Sequence, residues 1–342
     1  MGSLKTCLQD LSPSIAKILE IAGAAGASIG IVHQNETVHL PNFGHRDITT
    51  RLAPDENTQH HVASLSKSFT AAVLGILVHD QKLGFDQPVF SILKTFTNPD
   101  PAVHDRATVL EFLSHCTGFA TKQSYNYNNG GYNVATSLIE EVSGQSWGSF
   151  VTDSILKPLE LDRTFVGVAV PEENYAHRYM PAPDETLTDV GRPTIANGTV
   201  KQGADVLGKG TTKKKLWYHN GSLVGFFSSV HVVPDTDTIV VILVNSIHKN
   251  DAPDWIGQLL VETILDCLDK NDDITLAKDS AKAYDNMCKQ LEDEMTKDKR
   301  PYKHKLPLNQ YVGRYYNKPM NWFIEVTFDQ EALYFSFQGL AG

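Results

Sequence analysis

The spacing of apolar positions divides this chain into helical and strand-like segments in a clear order. Residues 12–21 place Ile15, Ile18, Leu19 and Ile21 at helical intervals behind Pro13, and Gly23-Ala24-Ala25-Gly26 ends the run. Residues 27–33 and 37–40 predict two strands joined at Gln34-Asn35, a hairpin. A polar loop follows Phe43-Gly44-His45-Arg46-Asp47 and ends near Thr58. The Ser/Thr-rich start at 64–70 then runs into the apolar stretch 71–78, which predicts a helix with its N-terminus near Ser64. Residues 108–115 predict a short capped helix closed by Cys116-Thr117-Gly118-Phe119, and residues 133–142 a second helix ending at Ser143-Gly144. Residues 216–226, 227–233 and 238–245 alternate or run apolar around a turn at Pro234-Asp235-Thr236-Asp237, predicting three successive antiparallel strands. A charged helix is expected over 274–299. Segments 311–316, 323–328 and 332–337 predict about three more strands, too few to close a barrel.

Composition narrows the class without changing this picture. The chain has 342 residues, 41% hydrophobic and 20% charged, enough for one large or two intimate domains plus an appendage. A net charge of −10 argues against nucleic-acid partners and offers no basic stripe to an anionic membrane; Lys213-Lys214-Lys215 reads as a solvated turn. Residues 15–32 carry Lys17 and Glu20, unlike a secretory leader, and no apolar run reaches about 18 residues, so no membrane span is expected. Cys7, Cys116, Cys267 and Cys288 lack metal-ligand spacing and suggest a reducing, cytoplasmic compartment with no disulfide framework. Glycosylation patterns at Asn35, Asn197 and Asn220 read as coincidence in such a setting.

Three stretches carry candidate chemistry. In Ser64-x-x-Lys67 on a helix, residues three apart share a face, so the ammonium lies beside the hydroxyl. A serine hydroxyl is a poor nucleophile until a neighbouring base takes its proton, and a helix start favours the developing negative charge. In Tyr127-Asn128-Asn129, Tyr127 can shuttle a proton to and from Ser64 while Asn129 orients Lys67 and a substrate carbonyl; alone, the stretch reads rather as an Asn/Gly turn whose Tyr packs on the core. In His219-Asn220-Gly221-Ser222, Gly221 permits close approach of a substrate backbone to an edge strand, and His219 can meet a substrate carboxylate or support the tyrosine; a lone strand histidine is otherwise structural. No spacing suggests a metal site, and this chemistry requires no cofactor.

Taken in order, these stretches resemble the serine β-lactamase and penicillin-binding-protein family, and within it the class C-like branch of esterases, D-aminopeptidases and acyltransferases. Supporting matches are Phe43-Gly44-x-Arg46-Asp47, Leu113-Ser114-His115-Cys116-Thr117-Gly118, Asn129-Gly130-Gly131-Tyr132 and Pro158-Leu159-Glu160-Leu161, so the resemblance covers roughly residues 12–268. It implies Ser64 as the nucleophile of an acyl-enzyme, Lys67 and Tyr127 as the acid/base pair, Asn129 as an orienting residue, and the backbone N–H groups of Ser64 and Ser222 as the oxyanion hole. His219 stands where β-lactamases proper carry lysine, which favours an esterase or peptidase-like role.

The resemblance also implies the fold: α/β, an antiparallel sheet flanked by helices, with a helical subdomain at about 60–200 inserted. The catalytic domain is expected at 1–268, a charged helical linker at 269–304, and a truncated lipocalin-like β segment at 305–342. Two departures stand out. The C-terminal β segment stops short. Tyr127 and His219 lie unusually close in sequence, with Arg192-Pro193-Thr194 through Gly203-Ala204-Asp205 reading as a deletion. The function expected is therefore a serine hydrolase acting on a small-molecule ester, amide or peptide. An acyltransferase of secondary metabolism, or a relative impaired by the shortened segment, remains open. The oligomeric state is not expressed in the pattern.

Overall fold

In the computed structural model, residues 4–39, 41–117, 127–167, 174–181, 187–189, 216–246, 249–265, 271–297, 306–316, 323–329, 331–337 and 340–341 are described. The supposed deletion at 192–205, the run 213–215, Gly118 and Phe119 lie outside them.

The chain opens with helices α1 (Leu4–Gln9) and α2 (Ser12–Ala22). Ile15, Ile18 and Leu19 of α2 are buried, as their spacing requires. Strands β1 (Gly26–His33) and β2 (Glu36–His39) form the expected hairpin, and Gln34 and Asn35 both take positive φ, the geometry of a two-residue turn matched to strand twist. A short β3 (Phe43–Gly44) also pairs with β1.

The helical region follows. It comprises α3 (Ser66–His79), α4 (Val89–Ile92), α5 (Pro101–Arg106), α6 (Val109–Leu113), α7 (Asn129–Ser143) and α8 (Trp147–Val151). Helix α6 has the capping box its sequence promised: the Glu111 N–H donates to the Thr108 hydroxyl, and the Thr108 N–H to the Glu111 carboxylate. Helix α7 begins four residues before its apolar period does, because the Asn128 side chain accepts the Gly130 N–H at 2.7 Å and caps the helix there. Val73, Leu74, Phe112, Ala135, Leu138 and Ile139 form the centre of this region's core.

Beyond a small ladder of β4 (Tyr179–Pro181) and β5 (Leu187–Asp189) come β6 (Trp217–Leu223), β7 (Phe226–Val233) and β8 (Thr238–Val244). The main sheet has the order β2-β1-β8-β7-β6, antiparallel throughout, so β6 is an edge. One face carries Ala27, Ile29, Ile31, Val240, Ile242 and Val244 against α2 and against α9 (Ala252–Ile264). Each fully buried Ile or Leu there contributes roughly 1.5–3 kcal/mol. Gly257 lets α9 sit tightly on β7: a Cβ at that position would fall 1.9 Å from His231 Nε2.

The charged helix α10 runs over Asp273–Lys297. It is not simply a linker. Ala277 is fully buried in the sheet core, and its carbonyl accepts from Asn250 Nδ2 at 2.9 Å. The chain accordingly divides into two compact units, Met1–Asn286 and Met287–Gly342, so the first extends well past the expected boundary at 268. The second unit contains β9 (Gly313–Tyr316), β10 (Phe323–Asp329), β11 (Ala332–Phe337) and β12 (Leu340–Ala341), an open antiparallel sheet in the order β12-β11-β10-β9. That is one short strand more than expected, and among the described residues the sheet does not close. Among the described residues no helix is long and apolar enough to cross a membrane.

Candidate active site

The site is built where the helical region meets the sheet's edge strand. Residues Ala63–Leu65 form a 3-10 turn that leads directly into α3, with Ser64 in the turn and Lys67 one turn later. Ala63 takes φ 48°, a left-handed conformation that costs a residue with a Cβ on the order of 1 kcal/mol and persists only where the surroundings impose it. Two contacts impose it. The Ser228 hydroxyl of β7 donates to the Val62 carbonyl at 3.0 Å. Gly221 of β6 lies so close that a Cβ there would come within 2.5 Å of the Val62 oxygen and 3.3 Å of the Ser64 nitrogen. The glycine's first role is thus to let the nucleophile's own turn approach the strand.

Lys67 is completely buried, and its Nζ donates to Ser64 Oγ at 3.5 Å and to the Tyr127 hydroxyl. The Tyr127 hydroxyl lies 3.1 Å from Ser64 Oγ, so the three polar atoms form a triangle. The ammonium also sits 4.6 Å from the Tyr127 ring centre and 5.8 Å from that of Tyr132. Burial holds the Tyr127 phenol above its ordinary value, against the opposing hydrogen bond to Ser64, so its proton stays on oxygen at neutral pH.

His219 projects from β6 with its ring 6.4 Å from that of Tyr127. Burial and then the Lys67 charge hold it down to about 4, so it is a neutral imidazole at physiological pH. Asn220, on the opposite face of the strand, donates its amide to Asp251 Oδ2 at 3.0 Å. That engagement in the fold argues against its serving as a glycan acceptor. Asp251 also caps α9 by accepting the Asp254 N–H. Ser222 is exposed on the edge strand opposite Phe227 of β7, and Asn129 is exposed in the first turn of α7. Ser64, Lys67, Tyr127, His219 and Gly221 therefore converge, while Asn129 and Ser222 stand at the rim.

Two residues behind the site carry no sequence signal of a role. His115 is buried behind Tyr127, within a segment noted only as a flanking match. Asn245, just after β8, donates through Nδ2 to the carbonyls of His45, Arg46 and His177 and ties two loops to the sheet. A buried asparagine of this kind leaves no periodic trace in a sequence. Among the described residues, no group of three or more His, Cys, Asp or Glu could hold a metal ion.

Comparison with known proteins gives the family and the fold. The family model described as Beta-lactamase matches residues 14–201. The chain is 24% identical over 220 residues to the unguisins hydrolase of Aspergillus violaceofuscus, covering 53% of this chain and 38% of that one. It spans less than half the length of the curated relatives it matches first. Among solved structures, an octameric penicillin-binding protein homologue from Pyrococcus abyssi superposes with a TM-score of 0.64 at 18% identity, covering 96% of this chain and 87% of the other. A class C beta lactamase from Rhodobacter sphaeroides gives 0.61 at 15% identity, covering 77% and 100%. At these identities the structural likeness is one of fold.

Proposed function

The chain belongs to the Beta-lactamase family, and from that premise we propose that it is a serine hydrolase of esters or amides working through an acyl-enzyme on Ser64. The observation that carries the proposal is the triangle of Ser64 Oγ, Lys67 Nζ and the Tyr127 hydroxyl, built on a fully buried lysine. In this reading the acting form of the Lys67–Tyr127 pair carries one proton fewer than ammonium plus phenol, and Ser64 Oγ attacks the substrate carbonyl carbon while its own proton passes to that open position on the pair. The backbone N–H groups of Ser64 and Ser222 receive the oxyanion, the first at a helix start and the second on an edge strand. Collapse expels the alcohol or amine, protonated by the same pair. Water activated by that pair then cleaves the acyl-enzyme and restores Ser64. Asn129 at the rim would orient the substrate carbonyl.

His219 sharpens the substrate class. A neutral imidazole supplies no fixed positive charge where a lysine would hold a substrate carboxylate, so an acyl donor uncharged at that point is favoured over a carboxylate-bearing one. The same acyl-enzyme serves an acyltransferase if a bound acceptor displaces water, and the compressed stretch between Tyr127 and His219 keeps an impaired enzyme as the competing reading. A fluorophosphonate probe followed by intact-mass analysis separates these. One adduct per chain is expected, lost in Ser64→Ala. An adduct that survives in that variant, or maps to Ser66 or Ser68, overturns the assignment; no adduct on the native chain supports impairment.

A further inference from the structure

Tyr127 reaches Ser64 and Lys67 from a loop, and a phenol on a loop holds a productive angle only if something behind it is rigid. What lies behind it is His115. This imidazole is 2% exposed, and its ring centre is 4.7 Å from that of Tyr127 and 5.3 Å from that of Tyr132. The Tyr132 ring is itself fixed, its hydroxyl donating to the Leu113 carbonyl at 2.9 Å. His115 Nδ1 accepts the backbone N–H of Asn128, the residue next to Tyr127, at 3.0 Å. Asn128 is thereby pinned twice, since its side chain caps α7. His115 adopts φ 58°, a left-handed conformation just after the end of α6 that turns its ring inward.

We propose that His115 is a positioning residue that holds the Tyr127 phenol against Ser64 and Lys67, by packing against its ring and by accepting the Asn128 backbone N–H. The proposal rests on the reading of Tyr127 as part of the catalytic pair. It requires a neutral His115 with its proton on Nε2, because a protonated Nδ1 would face the Asn128 N–H donor to donor. The surroundings favour that state. The groups facing His115 are the Lys67 ammonium from α3, the neutral His219 imidazole from β6, and the Tyr127 and Tyr132 phenols from the loop and α7. Burial first, and then the Lys67 charge, hold His115 down to about 4.

The test joins an activity-independent measurement to a kinetic one. In ¹⁵N-labelled protein, the His115 ring nitrogens should report the Nε2–H tautomer from pH 8 to 5.5. The Asn128 amide resonance should shift together with His115 protonation on further acidification. His115→Phe keeps a ring but removes the acceptor, and should lower kcat on p-nitrophenyl butyrate about tenfold or more with KM within about twofold. His115→Asn, whose side-chain oxygen can take the place of Nδ1, should recover much of that loss. An Nδ1–H tautomer at neutral pH overturns the proposal, as does a folded His115→Phe variant with native kcat. If Ser64→Ala hydrolyses the ester as fast as the native chain, or the native chain fails to hydrolyse it, the hydrolase reading falls instead, and the tautomer still decides the role of His115.

Discussion

At the scale of single residues, Gly221 teaches the difference between a motif and its reason. Its position was legible from sequence, and so were those of Ser64, Lys67, Tyr127 and His219, because reactive side chains at short spacings leave a readable pattern. The expected reason was room for substrate; the structure adds a constraint inside the protein, where Val62 and Ser64 occupy the space a Cβ would need. Gly221→Ala should therefore push the nucleophile turn away from β6. The expected result is a drop of at least tenfold in probe labelling of Ser64, with a loss of about 1–3 kcal/mol in a urea titration, typical of overpacking. Native labelling in the variant would show that the turn moves freely. His115, in contrast, was not legible as a functional residue. Its influence runs through the ring of a neighbour and a backbone N–H, and neither has a sequence signature.

At the scale of elements, the long periodic segments were legible, and short ones only where a cap or a hairpin turn marked them. Helix α2 and strands β1, β7 and β8 bury one face each, which the spacing of apolar side chains records. Helices α4 and α5 are each no longer than six residues and are held by packing and local caps, which periodicity does not register. The joint between β6 and α9 belongs to the same illegible class. Asp251 links Asn220 to the start of α9, and burial, with the nearby Asp254 charge, pushes its carboxyl up to about 6. A raised carboxyl means the folded chain binds this proton more tightly than the unfolded chain does. The stabilising contribution is full below about pH 4 and is lost as pH rises through 6. Asp251→Asn keeps a capping oxygen and does not titrate. Relative to the native chain it should be nearly neutral at pH 4 and stabilising by about 3 kcal/mol above pH 7, read from urea midpoints. An equal effect at both pH values would place the origin in packing.

At the scale of the whole molecule, buried imidazoles set the acid limit. His60, His115, His219 and His231 are all held down to about 4, chiefly by burial. Depressed imidazoles contribute stability that is present above about 6.5 and lost as pH falls toward 4. Asp251 and Asp273 act oppositely; burial and the neighbouring Glu262 and Asp272 push Asp273 up to about 7. Four groups outweigh two, so the melting temperature should climb from pH 4.5 to about 6.5 and level or fall slightly by pH 8. A flat or falling profile below pH 6.5 would mean that these histidines are not neutral in the folded chain. The division of the chain was only partly legible at this scale: the charge pattern of α10 suggested a linker, while the burial of Ala277 rests on a contact with residues far away in sequence.

The pairing of β1 with β8 has a consequence for how the chain is made. Ala27 through His33 find their partners at Val244 through Thr238, more than two hundred residues later in the same compact unit. As the nascent chain leaves the ribosome, β1 can fold back on β2 at once, but its other edge stays open until β8 is synthesised. Closing a loop of that length is entropically costly, and pairing across it is slow. The interval between the two strands is when the hairpin's open edge is available to neighbouring chains, a hazard that a chaperone or slow translation would reduce. A ribosome stalled before β8 should hold a protease-sensitive sheet, and one stalled after α9 has cleared the exit tunnel a protected one.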